Sequence, residues 1–330
     1  MLKYEVILKQ LTERWLKDYF IYGPVKTDQV LKIKEITDFS AVDWSGNLPD
    51  NSWKEIFLPH RERLLDIKAD KLQTISGQQP KTLCLGMNIV DLKALMLFDL
   101  VFANDVYYQN RRENIIIVGY SSDWPHDYKK LKVFSHNFEE DVLEHVPFDI
   151  FIAKVKNNQL KFYSGSEKGR RLLEKNGIND FINIKFAGAI SEAGPDKRML
   201  MLQNKVGKSQ QHGLWSLLNE ICLACGKCSN VCPTCFCFDL VDRVDANDPR
   251  RDRVRSSCFF NDFSKIAGGH KELDSVKSKI HFWYEHKFVR IPNEYGIPGC
   301  VSCGRCSKVC PVGIDIFKNI AKLSKIKPVK

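Results

Sequence analysis

The sequence predicts an α+β protein, with an N-terminal α/β domain followed by a smaller helical module. Over the first two hundred or so residues, apolar runs of strand length alternate with amphipathic helical patterns. A polar stretch follows near Pro195–Gln211, and beyond it the patterns are mostly helical. Eleven of the twelve cysteines lie between Cys222 and Cys310. We therefore place the boundary after residue 205, which gives domains 1–205 and 206–330.

The N-terminal domain is predicted to open with an amphipathic helix. Its apolar side chains recur at roughly helical spacing with charges between them: Leu8, Leu11, Trp15 and Phe20. The stretch that follows, through Pro59, mixes short apolar runs with Gly, Pro, Asn and Asp, which predicts short strands and loops.

A strand–helix–strand pattern comes next. KTLCLGM (81–87) and NIIIVGY (114–120) read as buried strands on either side of a helix, VDLKALMLFDLVFAND (90–105). Cys84 lies in the first strand and is predicted to be a core residue. DIFIAKVKNNQLKFYSGS predicts a hairpin joined through Lys156–Gln159, and EKGRRLLEKNG a short helix that stops at Gly177.

The C-terminal module is predicted to be mostly helical. GLWSLLNEI leads into the first group of cysteines, SCFFNDFSKIA and SVKSKIHFWYEHKF fill the middle, and IFKNIAKLSKI closes the chain.

Composition excludes several classes of protein. With 44% hydrophobic and 11% aromatic residues, the chain can bury a core and does not read as disordered. The first residues, MLKYEVILKQ, lack the apolar region of a signal peptide, and no uncharged stretch is long enough to span a membrane. We therefore expect a cytoplasmic protein, where clustered thiols are more often metal ligands than disulfides.

Two cysteine runs carry the chemistry. CLACGKCSNVCP (222–233) and CVSCGRCSKVCP (300–311) both read C-x₂-C-x₂-C-x₃-C-P, and the same offset of 78 residues (300 minus 222) relates all four cysteines. This is the bacterial pattern for cubane iron–sulfur clusters, in which the fourth cysteine ligates the other cluster. The two-residue spacers let one loop wrap three corners of a cube, with Gly226 and Gly304 easing positive φ.

The pattern predicts two [4Fe–4S] clusters with exchanged fourth ligands. The first is assigned to Cys222, Cys225, Cys228 and Cys310, and the second to Cys300, Cys303, Cys306 and Cys232. Zinc is the alternative, since a C-x₂-C pair often makes a zinc ribbon, but eight cysteines in two proline-closed runs fit zinc poorly. The residues between the runs read as helices, which favours a helical two-cluster ferredoxin module.

Three further cysteines and a set of arginines remain without a firm role. Cys235, Cys237 and Cys258 are candidates for an extra cluster or metal, although buried thiols packing near the clusters are the simpler interpretation. The arginines between the runs are expected to offset cluster charge, to dock an acidic partner or to form a solvated face: Arg250, Arg251, Arg253 and Arg255.

Other functions lack support in the sequence. No dinucleotide fingerprint, P-loop, HExxH or G-x-S-x-G motif appears. The formal charge of +10 falls once two anionic clusters are counted, and no recognition helix or aromatic–basic platform indicates nucleic-acid binding. Two alternatives stay open: an iron–sulfur redox sensor, and a reductase that acts by itself at a cluster with an open iron.

The chain resembles a family that unites the iron–sulfur beta subunit of sulfhydrogenases with the corresponding iron–sulfur subunit of anaerobic sulfite reductase. The similarity runs through FIYGPV, GMNIVDLKALMLFD, DVYYQNRRENIIIVG, FYSGSEKG, CGKCSNVCPTCFCFDLVD, SSCFFNDFSKIAGGH, HKFVRIPNEYGIPGCVSCGRC and CPVGIDI. PTCFCFD, AGGH and HKF in that order are more specific than the cysteine runs.

The resemblance implies a non-catalytic electron-transfer subunit of an anaerobe's enzyme complex. In such complexes it relays electrons between a flavin-containing, NAD(P)H-oxidising subunit, or a ferredoxin-type donor, and a catalytic hydrogenase or sulfite reductase subunit. Many members of the family carry further cysteines in the N-terminal half. Here those places read Asn88-Ile89-Val90-Asp91 and Ser121-Ser122-Asp123, so a cluster located there in relatives is expected to be absent.

Overall fold

The computed structural model describes residues 3–68, 71–74, 80–124, 140–155, 157–188, 197–244 and 248–323. The chain divides into two compact units, each made of separate segments. The first consists of Met1–Trp53, Gln79–Ser191 and Val301–Cys303. The second consists of Lys54–Gln78, Glu192–Cys300 and Gly304–Lys330.

The described strands and helices follow one another along the whole chain. The strands are β1 (Phe20–Thr27), β2 (Val30–Ile36), β3 (Arg61–Lys68), β4 (Lys71–Thr74), β5 (Thr82–Met87), β6 (Ile115–Trp124), β7 (Ile150–Val155), β8 (Leu160–Ser164), β9 (Ile182–Asn183), β10 (Phe238–Arg243) and β11 (Arg250–Arg255). The α-helices are α1 (Lys3–Trp15), α2 (Lys54–Phe57), α3 (Ile89–Val101), α4 (Val106–Glu113), α5 (Glu167–Lys175), α6 (Lys197–Gly207), α7 (Gly213–Ile221), α8 (Lys227–Val231), α9 (Val276–Glu285), α10 (Ile291–Tyr295), α11 (Arg305–Val309) and α12 (Ile316–Leu323).

A seven-stranded sheet forms the centre of the first unit, as far as its residues are described, in the order β2-β1-β5-β6-β7-β8-β9. Its middle strands β1, β5, β6 and β7 are parallel neighbours, while β2 and β8 add antiparallel to β1 and β7. Parallel neighbours need a long crossover, which α3 and α4 provide between β5 and β6. The predicted strand–helix–strand pattern and the hairpin are thus confirmed.

The first unit's core is built from those apolar runs. Leu83, Leu85, Val118 and Ile150 are 0% exposed, as expected for parallel strands covered on both faces. Cys84 is also 0% exposed, which confirms its interpretation as a core residue.

Local signals fix where the helices of the first unit begin and end. The Asn88 side chain accepts a hydrogen bond from the Val90 N–H at 3.0 Å and starts α3 directly after β5. Gly177, at φ +80°, follows the end of α5, as predicted. The prediction that Phe20 belongs to the first helix is wrong. Helix α1 ends at Trp15, and the Phe20 N–H donates instead to Lys81 O at the start of β1, which leaves the Phe20 side chain exposed.

The second unit combines helices with a smaller sheet. Among its described residues, four antiparallel strands pair in the order β10-β11-β3-β4. Strands β3 and β4 come from the early part of the chain, which the predicted boundary after residue 205 assigns to the N-terminal domain. The fold class predicted from the sequence, an N-terminal sheet domain and a helical C-terminal region, is confirmed.

One part of the helical prediction is wrong. The residues between the cysteine runs include β10 and β11, and most of residues 258–264 form turns where a helix was predicted over 257–267. The strands persist because their charged side chains pair within the sheet. Arg251 bonds Asp242 on the neighbouring strand at 2.6 Å, and Arg253 bonds Glu62 of β3 at 3.0 Å.

The helical part of the second unit has an aromatic core. Trp215 of α7 is 0% exposed and lies edge-on to Tyr284 of α9, with ring centroids 5.1 Å apart. Helix α9 begins at Ser275, which forms a capping box with Ser278. No helix among the described residues is both long and apolar enough to cross a membrane.

Candidate metal centre

The two cysteine runs fold in the same way, residue for residue. Ala224 and Ser302, 78 positions apart, have φ of 48° and 57°, and Gly226 and Gly304 have φ of 71° and 73°. Helices α8 and α11 start right after these glycines and pack against each other. The sequence repeat is therefore a repeat of backbone conformation.

Positive φ at Ala224 and Ser302 costs energy that the rest of the structure must supply. Left-handed backbone at a residue with a side chain costs on the order of 1–3 kcal/mol and is concentrated at functional sites. Backbone N–H groups point toward sulfur within the first run and just after the second. The Ala224 N–H donates to the Cys222 sulfur at 3.4 Å, and the Ile314 N–H donates to the Cys310 sulfur at 3.3 Å. Such N–H···S bonds are a means of tuning iron–sulfur clusters.

A cavity in the second unit joins cysteines from both runs. Its lining includes five of them: Cys222, Cys225, Cys228, Cys306 and Cys310. Three belong to the first run, and Cys310 is the fourth cysteine of the second run, as the exchanged assignment predicts. Cys306, assigned to the other cluster, lines the same cavity, so the two predicted sites adjoin there.

The residues of this cavity suit a [4Fe–4S] cluster. Four thiols and backbone N–H donors are the groups that such clusters use, and the wall between them is apolar, with Phe259, Ile280 and Trp283. A side chain at Gly226 would place its Cβ 2.8 Å from the Phe260 ring, so the loop approaches as closely as only glycine allows. Burial raises the pKa of Cys228 to about 12, so binding of a metal there would release a proton.

A single metal ion needs several ligating side chains close together. Within the described ranges, no group of three or more Cys, His, Asp or Glu side chains is arranged to hold one metal ion. That finding applies to Cys235, Cys237 and Cys258 as well as to the eight cysteines of the runs.

The second predicted site is marked by Cys232 and a buried lysine. Cys232 is 7% exposed, and its sulfur accepts a hydrogen bond from the Lys287 ammonium at 3.2 Å. Lys287 also donates to Thr234 Oγ1 at 3.0 Å and to the carbonyl of Gly299, the residue before Cys300, at 3.1 Å. The last cysteine of the first run thus lies beside the start of the second run. The joint ligation of one cluster by Cys232, Cys300, Cys303 and Cys306 stays a prediction.

The charges at this site favour a thiolate. A hydrogen bond from Cys235 and the ammonium groups of Lys287 and Lys54 hold the pKa of Cys232 well below its usual range, although burial opposes them. Burial likewise opposes the charge of Lys287, yet the neighbouring sulfur of Cys232 raises the pKa of that lysine.

Sequence reasoning missed both lysines. Lys54 is 3% exposed and donates to the carbonyl of Ser229 in the first run at 2.9 Å, across a separation of 175 residues that no pattern reveals. For Lys287 one feature of the sequence could have indicated a role: it belongs to HKF, a segment that the chain shares with the family it resembles.

The remaining thiols pack around the runs. Cys235 is hydrogen-bonded to Cys232, and Cys237 to Cys258, which is 2% exposed. The bond from Cys258, aided by Lys287, lowers the pKa of Cys237 to about 7. Cys258 is buried, whereas Cys235 and Cys237 are half-buried. The contacts support the simpler interpretation of thiols that pack near the runs, and a ligand role for the three stays a prediction.

The arginines between the runs pair with carboxylates of their own unit. Their partners include Asp248 and Asp252 for Arg250, Asp242 for Arg251, Glu62 for Arg253 and Glu55 for Arg255. They therefore support the small sheet.

The paired cysteine loops have the spacing and conformation expected of a two-cluster iron–sulfur domain. Residues 221–314 match the family model for a 4Fe-4S dicluster domain. The chain is 29% identical over 315 residues to sulfhydrogenase 2 subunit beta of Pyrococcus furiosus. The aligned region covers 90% of each of the two proteins. The resemblance to the iron–sulfur beta-subunit family is thereby confirmed. No solved structure matches the chain.

Proposed function

We propose that this chain is the electron-relay subunit of a cytoplasmic oxidoreductase complex and binds two [4Fe–4S] clusters with exchanged fourth ligands. One partner would be a flavin-containing, NAD(P)H-oxidising subunit or a ferredoxin-type donor. The other would be the catalytic subunit of a hydrogenase or of a sulfite or sulfur reductase. The relative's name, sulfhydrogenase 2 subunit beta, supports a hydrogenase-type catalytic partner.

One observation carries this proposal: the cavity that joins three thiols of the first run with Cys310 of the second. Exchanged ligation requires Cys310 to lie beside those three thiols, and Cys306, which also lines the cavity, is assigned to the adjoining cluster. The exchange fits the proline after each fourth cysteine, since Pro233 and Pro311 fix φ where the chain leaves the loop. Two clusters that share ligand loops would lie side by side.

The chain's own residues bind the clusters, shield them and tune them. Bound [4Fe–4S] clusters supply one-electron oxidation and reduction. Phe259, Ile280 and Trp283 exclude water from one side of the first site. On the other side Cys225 is exposed, next to Leu223, which is 64% exposed. Cys225 therefore marks the edge at which a partner subunit would exchange electrons.

The ligand exchange can be tested with cysteine variants of the anoxically purified full chain. We expect about eight irons per chain and two reducible clusters with separable EPR signals. Cys225→Ser and Cys310→Ser should alter one signal, and Cys303→Ser and Cys232→Ser the other. Cys84→Ser is the control, because that thiol lies in the core of the first unit.

Two results would contradict the proposal. If Cys310→Ser altered the same signal as Cys303→Ser, each run would keep its own fourth ligand. Zinc in place of iron in the anoxic protein would remove the electron-relay function altogether. Anoxic co-purification would test the partners, with a flavin-containing and a catalytic subunit expected to accompany the chain.

A further inference from the structure

Lys287 stands out among the residues around the second predicted site. Its side chain is 2% exposed, and its ammonium group has three acceptors: Cys232 Sγ at 3.2 Å, Thr234 Oγ1 at 3.0 Å and Gly299 O at 3.1 Å. Burying a charge is costly unless hydrogen bonds or an opposite charge compensate it. The Cys232 sulfur, once a thiolate, is that opposite charge.

The backbone of Lys287 is tied to the same place. The Gly299 N–H donates to Lys287 O at 3.0 Å, so the main chain and the side chain of Lys287 both hold Gly299, the residue before Cys300. This turn, His286–Arg290, is π-helical, a conformation that is rare and frequent at functional sites. A Cβ at Gly299 would stand 2.6 Å from Lys287 O, so the approach requires glycine. Lys287 therefore fixes the end of one cysteine run against the beginning of the other.

The charge of Lys287 is placed unequally between the two predicted sites. On one side the ammonium touches Cys232 directly. On the other it lies over the Trp283 ring, 5.5 Å from its centroid, and that ring lines the cavity of the first site. The sulfurs of Cys222 and Cys310 in that cavity accept from neutral backbone N–H groups. The site of Cys232 thus has a charged hydrogen-bond donor, the Lys287 ammonium. The indole of Trp283 lies between that ammonium and the cavity of the first site.

We propose that Lys287 is a positioning residue that holds the Cys232 sulfur beside Cys300 and makes the cluster ligated by Cys232 the more readily reduced of the two. The inference rests on the two-cluster function proposed above. A fixed positive charge stabilises the extra negative charge of the reduced state, and hydrogen bonds to ligand sulfurs act in the same direction. Electrons entering the chain would therefore reside mainly at the site of Cys232.

The test is an EPR-monitored redox titration of the full, cluster-loaded protein with iron and sulfide counted in parallel. Cys232→Ser assigns the couple that belongs to this site. Lys287→Met removes the charge and keeps the length of the side chain, and Lys287→Arg keeps the charge. Lys279→Met is the matched control, since Lys279 is 4% exposed on the preceding helix but bonds Asn261 Oδ1 at 2.9 Å.

We expect Lys287→Met to disfavour reduction of the assigned couple at least tenfold, which is about 59 mV for one electron. Lys287→Arg should retain most of the wild-type potential, and Lys279→Met should change neither couple. Selective loss of about four irons in Lys287→Met, with Lys279→Met fully loaded, would equally support the positioning role. If Lys287→Met does not fold, Lys287→Gln decides, because it removes the charge but keeps a polar side chain, and a shift in the assigned couple alone supports the proposal.

The opposite results overturn it. Unchanged potentials in a fully loaded Lys287→Met protein, or an equal shift in Lys279→Met, would refute the role of Lys287 while leaving two clusters in place. So would a Lys287→Gln protein, used where Lys287→Met does not fold, in which both couples shift equally or neither shifts. Wild-type protein without two iron–sulfur couples would refute the proposed function itself, and this inference with it.

Discussion

Substitution of Gly299 by alanine should weaken the second unit far more than alanine substitutions at glycine usually do. The added Cβ would stand 2.6 Å from Lys287 O, whereas ordinary contact begins near 3.4 Å, so the two segments must move apart by about 0.8 Å. The backbone atoms Lys287 O and Lys287 Cα lie at 2.6 and 2.8 Å, so moving the Ile291 side chain, whose Cδ1 is also 2.8 Å away, would not by itself make room. A shift of that size breaks the bonds of Gly299 N to Lys287 O (3.0 Å) and of Lys287 Nζ to Gly299 O (3.1 Å).

The magnitude follows from those two bonds. A neutral bond contributes about 0.5–1.5 kcal/mol and a bond to a charged group about 1.5–3 kcal/mol, so the loss should be about 2–4.5 kcal/mol. The assay is anoxic urea denaturation of the full chain, followed by loss of cluster absorbance. With a slope of a few kcal/mol per molar urea, the midpoint should fall by on the order of 1 M.

A second glycine of the same unit provides the control. At Gly207 the nearest atom to an added Cβ is Val289 Cγ2 at 3.9 Å, which is ordinary contact. Gly207→Ala should therefore change the free energy of unfolding by no more than about 0.5 kcal/mol, or raise it slightly. If Gly299→Ala and Gly207→Ala gave the same midpoint, the close approach of Gly299 to Lys287 would not exist in solution.

Three further predictions concern the second unit. Burial lowers the pKa of His286 from 6.5 to about 4, so between these pH values the unfolded state binds more protons than the folded state. The free energy of unfolding should therefore fall by up to roughly 3 kcal/mol as the pH drops from 6.5 to 4. Denaturation of His286→Gln, measured at several pH values, should lack this dependence. Arg253→Met should cost about 3–5 kcal/mol in denaturant unfolding, because it removes the guanidinium that offsets the charge of the buried Glu62 carboxylate, and adding Glu62→Gln should recover much of the loss. Ala224→Gly should raise the free energy of unfolding, measured by urea denaturation, by on the order of 1 kcal/mol, because glycine adopts the φ of 48° without strain.

Each of these has its own contrary result. A His286→Gln protein with the wild-type pH profile would place that imidazole in water. If the losses in the free energy of unfolding of the Arg253 and Glu62 single variants simply added in the double variant, the two side chains would not interact. Loss of stability in Ala224→Gly would show that the loop is not strained.

The conformation of the cysteine loops could be predicted because its cause is local. The C-x₂-C-x₂-C-x₃-C-P spacing fixes the loop, the positive φ of Gly226 and the short helix after it, and two copies imply exchange of the fourth ligand. The strands of the first unit could also be predicted, because KTLCLGM and NIIIVGY are continuous apolar runs of strand length.

The parts that sequence reasoning missed depend on distant segments. Strands β10 and β11 are rich in charge, and what makes them strands is β3, about 190 residues earlier in the chain, where Glu62 pairs with Arg253. Lys54 reaches Ser229 from an equally remote position. Phe20 continued a helical spacing by coincidence, and strand pairing with Thr82 outweighed it. Propensity and periodicity contain no information about such partners.

The position of β3 between β11 and β4 bears on any attempt to isolate the cysteine-rich portion as a fragment. A recombinant piece starting at residue 206 would lack β3, β4 and Lys54, and one edge of β11 would lose the hydrogen bonds that now cover it. Bare strand edges recruit other chains, so such a fragment should aggregate even when iron and sulfide are supplied. Adding residues 54–78 as a separate peptide should restore its solubility.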